Sequence, residues 1–430
     1  MKQYNQGRFE ELPFDAKKAG TARRAVRGGF GETALPGDFS KCPQINCRNA
    51  CTVLCLLALS VLQPFSLSAL CSWQGCPGVE RTPNGRLFFT WFTGGAYEPD
   101  PANMVVLCYS DDDGKTHSPL QVLAAPKEEE ERYYNPAPWI DPRGRLWYIY
   151  CHSNIKTGLH GVYARVCKNP DAPEPVFGPA FRLDFGVPYS FRINKPALLS
   201  SGEWVLPVTF TNEPVHLWSL YATPSAQYLQ GAAISRDEGK TWRLHGSVAA
   251  PHPAQEGMIT ELKDGRLWML LRTSAGFLWE SFSTDKGATW SEGASSKIAS
   301  PGSRFFIRRL SSGNLLLVNH YHFDRDDKGA GLRSHLTAKI STDDGKTWGE
   351  GLLLDARAGI SYPDGVESGD GFIRIVYDYD RRDAGEILMA KFREEDVMQG
   401  KNTSGMVVLR HVVNRLPENT TNSISRKKAP

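Results

Sequence analysis

Apolar residues along this chain come in short, nearly continuous runs, and each run follows a turn glycine. The copies are PNGRLFFTW at Gly85, PRGRLWYIY at Gly144, SSGEWVLPV at Gly202, KDGRLWMLL at Gly265, SSGNLLLV at Gly313 and GDGFIRIVY at Gly371, spaced by 59, 58, 63, 48 and 58 residues. Each predicts a β-hairpin whose glycine takes the positive φ of a tight turn, followed by a strand covered on both faces. The period fits a four-stranded sheet with its loops. Six such units therefore predict an all-β fold, a six-bladed β-propeller.

A second repeat, S-x-D-x-G-x-T-W, starts at Ser235, Ser283 and Ser341, and a fourth copy at Ser110 ends in His117 instead of tryptophan. The aspartate is expected to fold back on amides of its own turn, the glycine to supply a left-handed residue and the tryptophan to pack beneath the hairpin. A calcium loop would need more carboxylates and a terminal glutamate. The boxes are read as structural pins.

Composition agrees with this picture and narrows the partners. The 430 residues carry 40 Gly, 28 Pro, 20 Phe, 15 Tyr and 11 Trp, which favours short strands and tight turns. Fifty Lys plus Arg against 47 Asp plus Glu leave a net charge of +3 with no long basic stripe, so nucleic acid is not an expected partner. All nine cysteines lie at or before Cys167, without zinc spacing, and no nucleotide or haem motif is present; neither a metal nor a cofactor is expected. The uncharged run Cys51 to Cys71, with Lys41 and Arg48 before it, is long enough to cross a bilayer. Gln63, Pro64 and several serines weaken it. Two readings stay open: a signal or anchor, giving a secreted or membrane-anchored protein, and a buried segment of a cytoplasmic one. The expected organisation is an N-terminal extension over residues 1–71, a propeller over 72–413 and a disordered tail over 414–430.

Because the repeats are equivalent, positions can be compared between blades. Nine residues before the turn glycine stand Cys76, Asn135, Glu256, Arg304 and Tyr362, and Asn194 stands eight before Gly202. Seven after the glycines come Phe92, Cys151, Thr209, Arg272, His320 and Asp378. Both sets should lie at the end of the propeller away from the turns, where polar groups from distant segments converge on a central mouth. Asn135, Asn194 and His320 equally fit a role as buried hydrogen-bonders within the channel. Glu256, Arg272 and Tyr362 come from different blades, and charge brought together inside a protein needs partners.

At these residues the chain resembles the Asp-box, or BNR-repeat, proteins of the sialidase superfamily, over about Ser72 to Val413. EGMITELKDGRLWMLLR places Glu256, Glu261 and Arg272 as in sialidases, RSHLTAKISTDDGKTW places Arg333 where an arginine of the carboxylate-binding triad is expected, and Tyr362 of GISYPDGV matches the nucleophilic tyrosine. The resemblance implies an exo-glycoside hydrolase acting on terminal acidic sugars. Tyr362 would attack the anomeric carbon, Glu256 would take its proton, and Arg272 and Arg333 would clamp a carboxylate. Two positions depart from the family. Gly75, in GCPGVER, stands where the first clamp arginine is expected, with Arg304 of the ring as the substitute. In the loop GGAYEPDPANM, Asp100 is the nearest match to the acid/base aspartate and Glu98 its rival. Two alternatives remain: a polysaccharide lyase on uronate-containing glycans, with Tyr362, His152 or His320 as base, and a non-catalytic glycan-binding propeller.

Overall fold

The computed structural model describes residues 71–417 apart from 129, 155–156, 158, 188, 212–227, 251–254 and 322–331. The apolar run 51–71, Cys71 excepted, and the end of the expected tail lie outside the described residues. No helix among the described residues is long and apolar enough to cross a membrane.

Six antiparallel sheets follow one another along the chain as the blades of a β-propeller. Blade 1 is β1 (Gln74–Arg81), β2 (Leu87–Thr93), β3 (Met104–Ser110) and β4 (Gln121–Ala124); blade 2 is β5 (Glu131–Ile140), β6 (Leu146–Asn154), β7 (Leu159–Cys167) and β8 (Phe181–Leu183). Blade 3 has its innermost strand broken into β9 (Tyr189–Ile193) and β10 (Ala197–Leu198), both paired with β11 (Trp204–Thr211), and continues through β12 (Leu229–Ser235) and β13 (Arg243–Val248). Blade 4 is β14 (Gln255–Glu261), β15 (Leu267–Arg272), β16 (Phe277–Ser283) and β17 (Ala294–Ala299). Blade 5 is β18 (Phe306–Arg309), β19 (Leu315–His320), β20 (Leu336–Ser341) and β21 (Leu352–Asp355). Blade 6 is β22 (Ile360–Glu367), β23 (Ile373–Tyr379), β24 (Glu386–Phe392) and β25 (Val408–Arg415), with a short helix α1 (Glu394–Gln399) before β25. β25 runs two residues past the expected boundary at 413, because Asn414 and Arg415 pair with Ile387 and Glu386.

Every turn glycine of the first repeat has positive φ, from 75° at Gly144 to 105° at Gly85. The second strand of each blade is buried almost throughout, as an apolar run packed between neighbouring sheets must be. Aromatic side chains fill these contacts; Trp204 of blade 3 meets Trp139 and Trp147 of blade 2 edge-on, with ring centres 4.7 and 5.5 Å apart.

The aspartate boxes join the third and fourth strands of blades 1, 3, 4 and 5, on the same end as the turn glycines. In each, the aspartate accepts from the threonine amide and hydroxyl, and the serine hydroxyl accepts from the glycine amide; in the blade-4 box Asp285 is 2.8 and 2.6 Å from Thr289, and Gly287 N is 2.8 Å from Ser283 Oγ. They also pin blade to blade. Asp344 accepts from the amide of Lys263 at 2.8 Å, and a Cβ on Gly345 would fall 2.5 Å from Trp268 of the preceding blade. Only a glycine fits there.

Among the described residues no strand is exchanged between the first and last blades, and the contacts that close the ring are of other kinds. Gln74, Cys76 and Val79 of β1 donate their amides to the Arg381 carbonyl and to the carboxylates of Asp378 and Asp364, at 3.1, 2.8 and 2.9 Å. Lys195 of blade 3 reaches across the axis to the same seam. Its buried ammonium donates to the carbonyls of Val79 and Gly365, 3.0 Å for the latter, and pairs with Asp364 at 3.1 Å and Glu80 at 3.6 Å.

Candidate active site

Four of the six innermost strands carry a bulge at one height. Register slips between Gly75 and Gly78, Tyr134 and Ala137, Gln255 and Met258, and Ser361 and Asp364. Inside each slip sits the ring residue in a left-handed conformation: Cys76 at φ 54°, Asn135 at 48°, Glu256 at 47° and Tyr362 at 55°. A bulge aims an extra side chain out of the ladder, at a cost of roughly 1–3 kcal/mol for such a backbone. Proline follows three of them, and its missing N–H means no ladder bond is lost there. At the fourth, Gly257 N finds the Gln230 side chain at 3.1 Å instead.

These bulges open on a cavity of about 250 Å³ lined by Trp73, Glu98, Arg192, Gln255, Arg272, Arg333, Tyr362, Arg381 and Arg382. At its floor one nitrogen of Arg272, Nη1, donates to Glu256 Oε2 at 2.5 Å and to the Tyr362 hydroxyl at 2.9 Å. Tyr362 and Glu256 therefore meet on a shared guanidinium. Arg272 Nε donates to the Gly302 carbonyl at 2.7 Å, which fixes the fork. Arg333, which precedes β20, places its guanidinium 5.6 Å from the centre of the Tyr362 ring, while its own carbonyl accepts from Gly359 and Ile360 at the start of β22.

The charge states follow from the neighbours. Burial would raise the Glu256 carboxyl, but Arg272, Arg192 and Arg304 outweigh it and bring its pKa down to about 2. Burial raises the Tyr362 phenol, with Arg272 opposing and Glu256 reinforcing the shift. At neutral pH the pair is an anion beside a neutral phenol.

The other expected residues divide between the cavity and its supports. Asn135 and Asn194 are buried behind Glu256, donating to its carboxylate at 3.5 Å and its carbonyl at 3.3 Å. Arg304 is also buried, bonded to Asn194 Oδ1, and does not line the cavity. Asp378 accepts from Cys76 N, Ser361 Oγ and Arg381 Nε. His320 bonds the Ser334 carbonyl, and burial lowers its pKa to about 3. His152 pairs with Glu131 at 3.3 Å. Asp100 folds back on its own loop, accepting from the amides of Ala96 and Ala102, whereas Glu98 lines the cavity and pairs with Arg381 at 3.1 Å and Arg132 at 3.6 Å. Glu261 sits at the turn end, bonded to Ser200. No cluster of His, Cys, Asp or Glu among the described residues could hold a metal ion.

Arg381 was not foreseen. A Cβ at Gly75 would fall 2.8 Å from Arg381 Nε and 3.0 Å from Asp378 Oδ2, so the space beside the blade-1 glycine is filled by an arginine from blade 6. Its guanidinium also lies 4.3 Å from the centre of the Tyr362 ring. The one signal in the sequence is its place three residues beyond Asp378, where the returning strand of blade 6 reaches the same end.

Fold and repeats together define a class, the six-bladed Asp-box propellers, and the chain belongs to the BNR repeat-like domain family, whose model matches residues 85–375. Among solved structures it resembles the Hadza microbial sialidase Hz136 at 17% identity and a TM-score of 0.60, over 76% of this chain and 66% of that one. It also resembles the NanB sialidase of Streptococcus pneumoniae, at 13% and 0.56 over 76% and 69%, and the intramolecular trans-sialidase of Ruminococcus gnavus, at 14% and 0.56 over 76% and 95%. At these identities the likeness is one of fold. No curated protein matches the sequence.

Proposed function

We propose that this protein is an exo-glycoside hydrolase of sialidase type, acting on terminal acidic sugars of glycans. The observation that carries the reading is Arg272 Nη1, bonded at once to the Tyr362 hydroxyl and to Glu256 in a cavity rich in arginine. Arg272, Arg333 and Arg381 form the carboxylate clamp, with Arg381 in the space a blade-1 arginine would need. An arriving carboxylate takes over part of Arg272, frees Glu256 from its ion pair and makes it a stronger base at the moment Tyr362 must lose its proton. The phenol oxygen then bonds the anomeric carbon, the phenolic proton goes to Glu256, and the glycosidic bond breaks. A neutral phenol suits this carbon, because an anionic nucleophile would be repelled by the adjacent carboxylate. Glu98 gives the leaving-group proton; its place in the cavity lining supports that role, and its ties to Arg381 and Arg132 loosen as the substrate carboxylate competes for Arg381.

Neither histidine open to a lyase lines the cavity: His320 holds the Ser334 carbonyl through Nδ1 at 2.9 Å, and His152 lies 3.3 Å from Glu131. The test is release of free acidic sugar from a panel of sialylated and uronate-terminated glycans, with absorbance of an unsaturated product followed in parallel. Hydrolysis without that absorbance, lost by several orders of magnitude in Tyr362→Phe, is the expected result. Product absorbance, or full turnover by Tyr362→Phe, would sink it.

A further inference from the structure

Charge at the cavity is lopsided: among the described residues five arginines line it against the single carboxylate of Glu98. Most of the clamp is already partnered, Arg272 by Glu256 and Arg381 by Asp378 and Glu98. Arg192 is different. It belongs to β9, is only 8% exposed, and lies with its guanidinium 5.3 Å from the centre of the Phe191 ring. Among the described residues no carboxylate, carbonyl or hydroxyl pairs with it, although it lines the cavity. Arg132 of β5 lies behind the lining: it is 2% exposed, its guanidinium is 4.2 Å from the centre of the Tyr134 ring, and among the described residues its Nε has no partner and its one ion pair is with Glu98 at 3.6 Å. Burial lowers the Arg132 pKa, Glu98 opposes this, and the like charge of Arg192 adds to the lowering. Glu256 acts on Arg192 only through its charge, so the guanidinium keeps its hydrogen-bond donors open to the cavity, and a buried arginine with unused donors favours an anionic ligand there. Arg192 reaches the cavity from blade 3, with Arg132 of blade 2 behind the lining, whereas the clamp arginines come from blades 4, 5 and 6, so Arg192 and the clamp approach from different sides of the ring.

We infer that the blade-2 and blade-3 side of the cavity is a second anion subsite, centred on Arg192, and that the substrate is an acidic sugar bearing a second oxyanion, a sulfate or phosphate ester, besides its carboxylate. The carboxylate half rests on the function proposed above; the subsite does not. A cavity of about 250 Å³ is small for a ligand site and has room for one sugar ring with its substituents.

Calorimetric titration with separate probes tests this, using sodium glucuronate for the clamp and inorganic sulfate or phosphate for the subsite. Sulfate or phosphate should bind the wild-type protein while glucuronate is saturating. Arg192→Leu should weaken that binding at least tenfold and change glucuronate affinity less than threefold, and Arg272→Ala should do the reverse. Arg192→Lys, which keeps the charge, should retain part of the oxyanion affinity and serves if the leucine variant fails to fold. The tighter of sulfate and phosphate names the ester. Displacement of sulfate by glucuronate, or sulfate affinity unchanged in Arg192→Leu, overturns the subsite and leaves the clamp standing. Sulfate held through Arg192 with no glucuronate binding overturns the carboxylate reading and leaves the subsite.

Discussion

At the scale of single residues, the question left by the geometry is which carboxyl group on the Gly94–Asn103 loop serves the leaving group. Asp100 is nearest to the family's spacing, yet its carboxylate is spent on the amides of Ala96 and Ala102, while Glu98 faces the cavity. A proton donor is dispensable when the leaving group departs unaided. Glu98→Gln should therefore lower turnover of a natural glycoside by about 10²–10⁴-fold and that of an aryl glycoside with an acidic phenol far less. Asp100→Asn should affect both substrates alike and mildly, through the loop. Kinetics of the two variants on the two substrates check this, and a leaving-group dependence confined to Asp100→Asn would reverse the assignment. Why the sequence favoured Asp100 is plain in physical terms: spacing fixes which residues share a loop, but which of them turns inward depends on hydrogen bonds closed within that loop.

At the scale of elements, the six hairpins and the four aspartate boxes were legible because each is written locally, in a turn glycine and in side chains that bond their own turn. The ring of Cys76, Asn135, Glu256 and Tyr362 was legible for a related reason: equivalent strands place equivalent residues at one height. The bulges that expose this ring, and the break of the blade-3 inner strand around Lys195–Pro196, were not, since each is a property of register between strands. Arg381 was hidden for the same reason, as its relation to Gly75 links residues far apart in the sequence that meet only where the first and last blades close the ring. That relation makes a prediction. Gly75→Ala puts a Cβ 2.8 Å from Arg381 Nε and must push the guanidinium aside. A flexible side chain yields more easily than backbone, so the melting temperature should move little while affinity for an acidic sugar falls several-fold. In the pair Gly75→Arg with Arg381→Ala, an arginine returns to the blade-1 strand, and affinity should exceed that of Arg381→Ala alone. Equal affinity of Gly75→Ala and wild type would remove Arg381 from the clamp.

At the scale of the whole molecule, the first and last blades exchange no strand among the described residues, and a cation at the axis helps to hold their seam. Lys195 leaves blade 3 directly after Asn194, crosses to the seam and meets Asp364 and Glu80 together with the carbonyls of Val79 and Gly365. Asp364 in turn accepts the Val79 amide at 2.9 Å, so one carboxylate serves both the strand seam and the lysine. Breaking a buried pair by removing one partner leaves an uncompensated charge and typically costs about 3–5 kcal/mol. Lys195→Met should accordingly lower unfolding free energy by that amount. Lys195→Met combined with Asp364→Asn should cost clearly less than the sum of the two single changes, because the second substitution removes the carboxylate that the first has stranded. Urea unfolding of the three variants measures this coupling directly. A Lys195→Met protein within about 1 kcal/mol of wild type would mean that the contacts of β1 with β22, Asp378 and Arg381 hold the seam without the lysine, since that is the scale on which exposed ion pairs act. Asn194 also donates to the Glu256 carbonyl and receives Arg304, so loosening Lys195 should disturb the floor of the cavity as well as the ring. Glucuronate affinity should then fall in Lys195→Met under conditions where the protein is still fully folded.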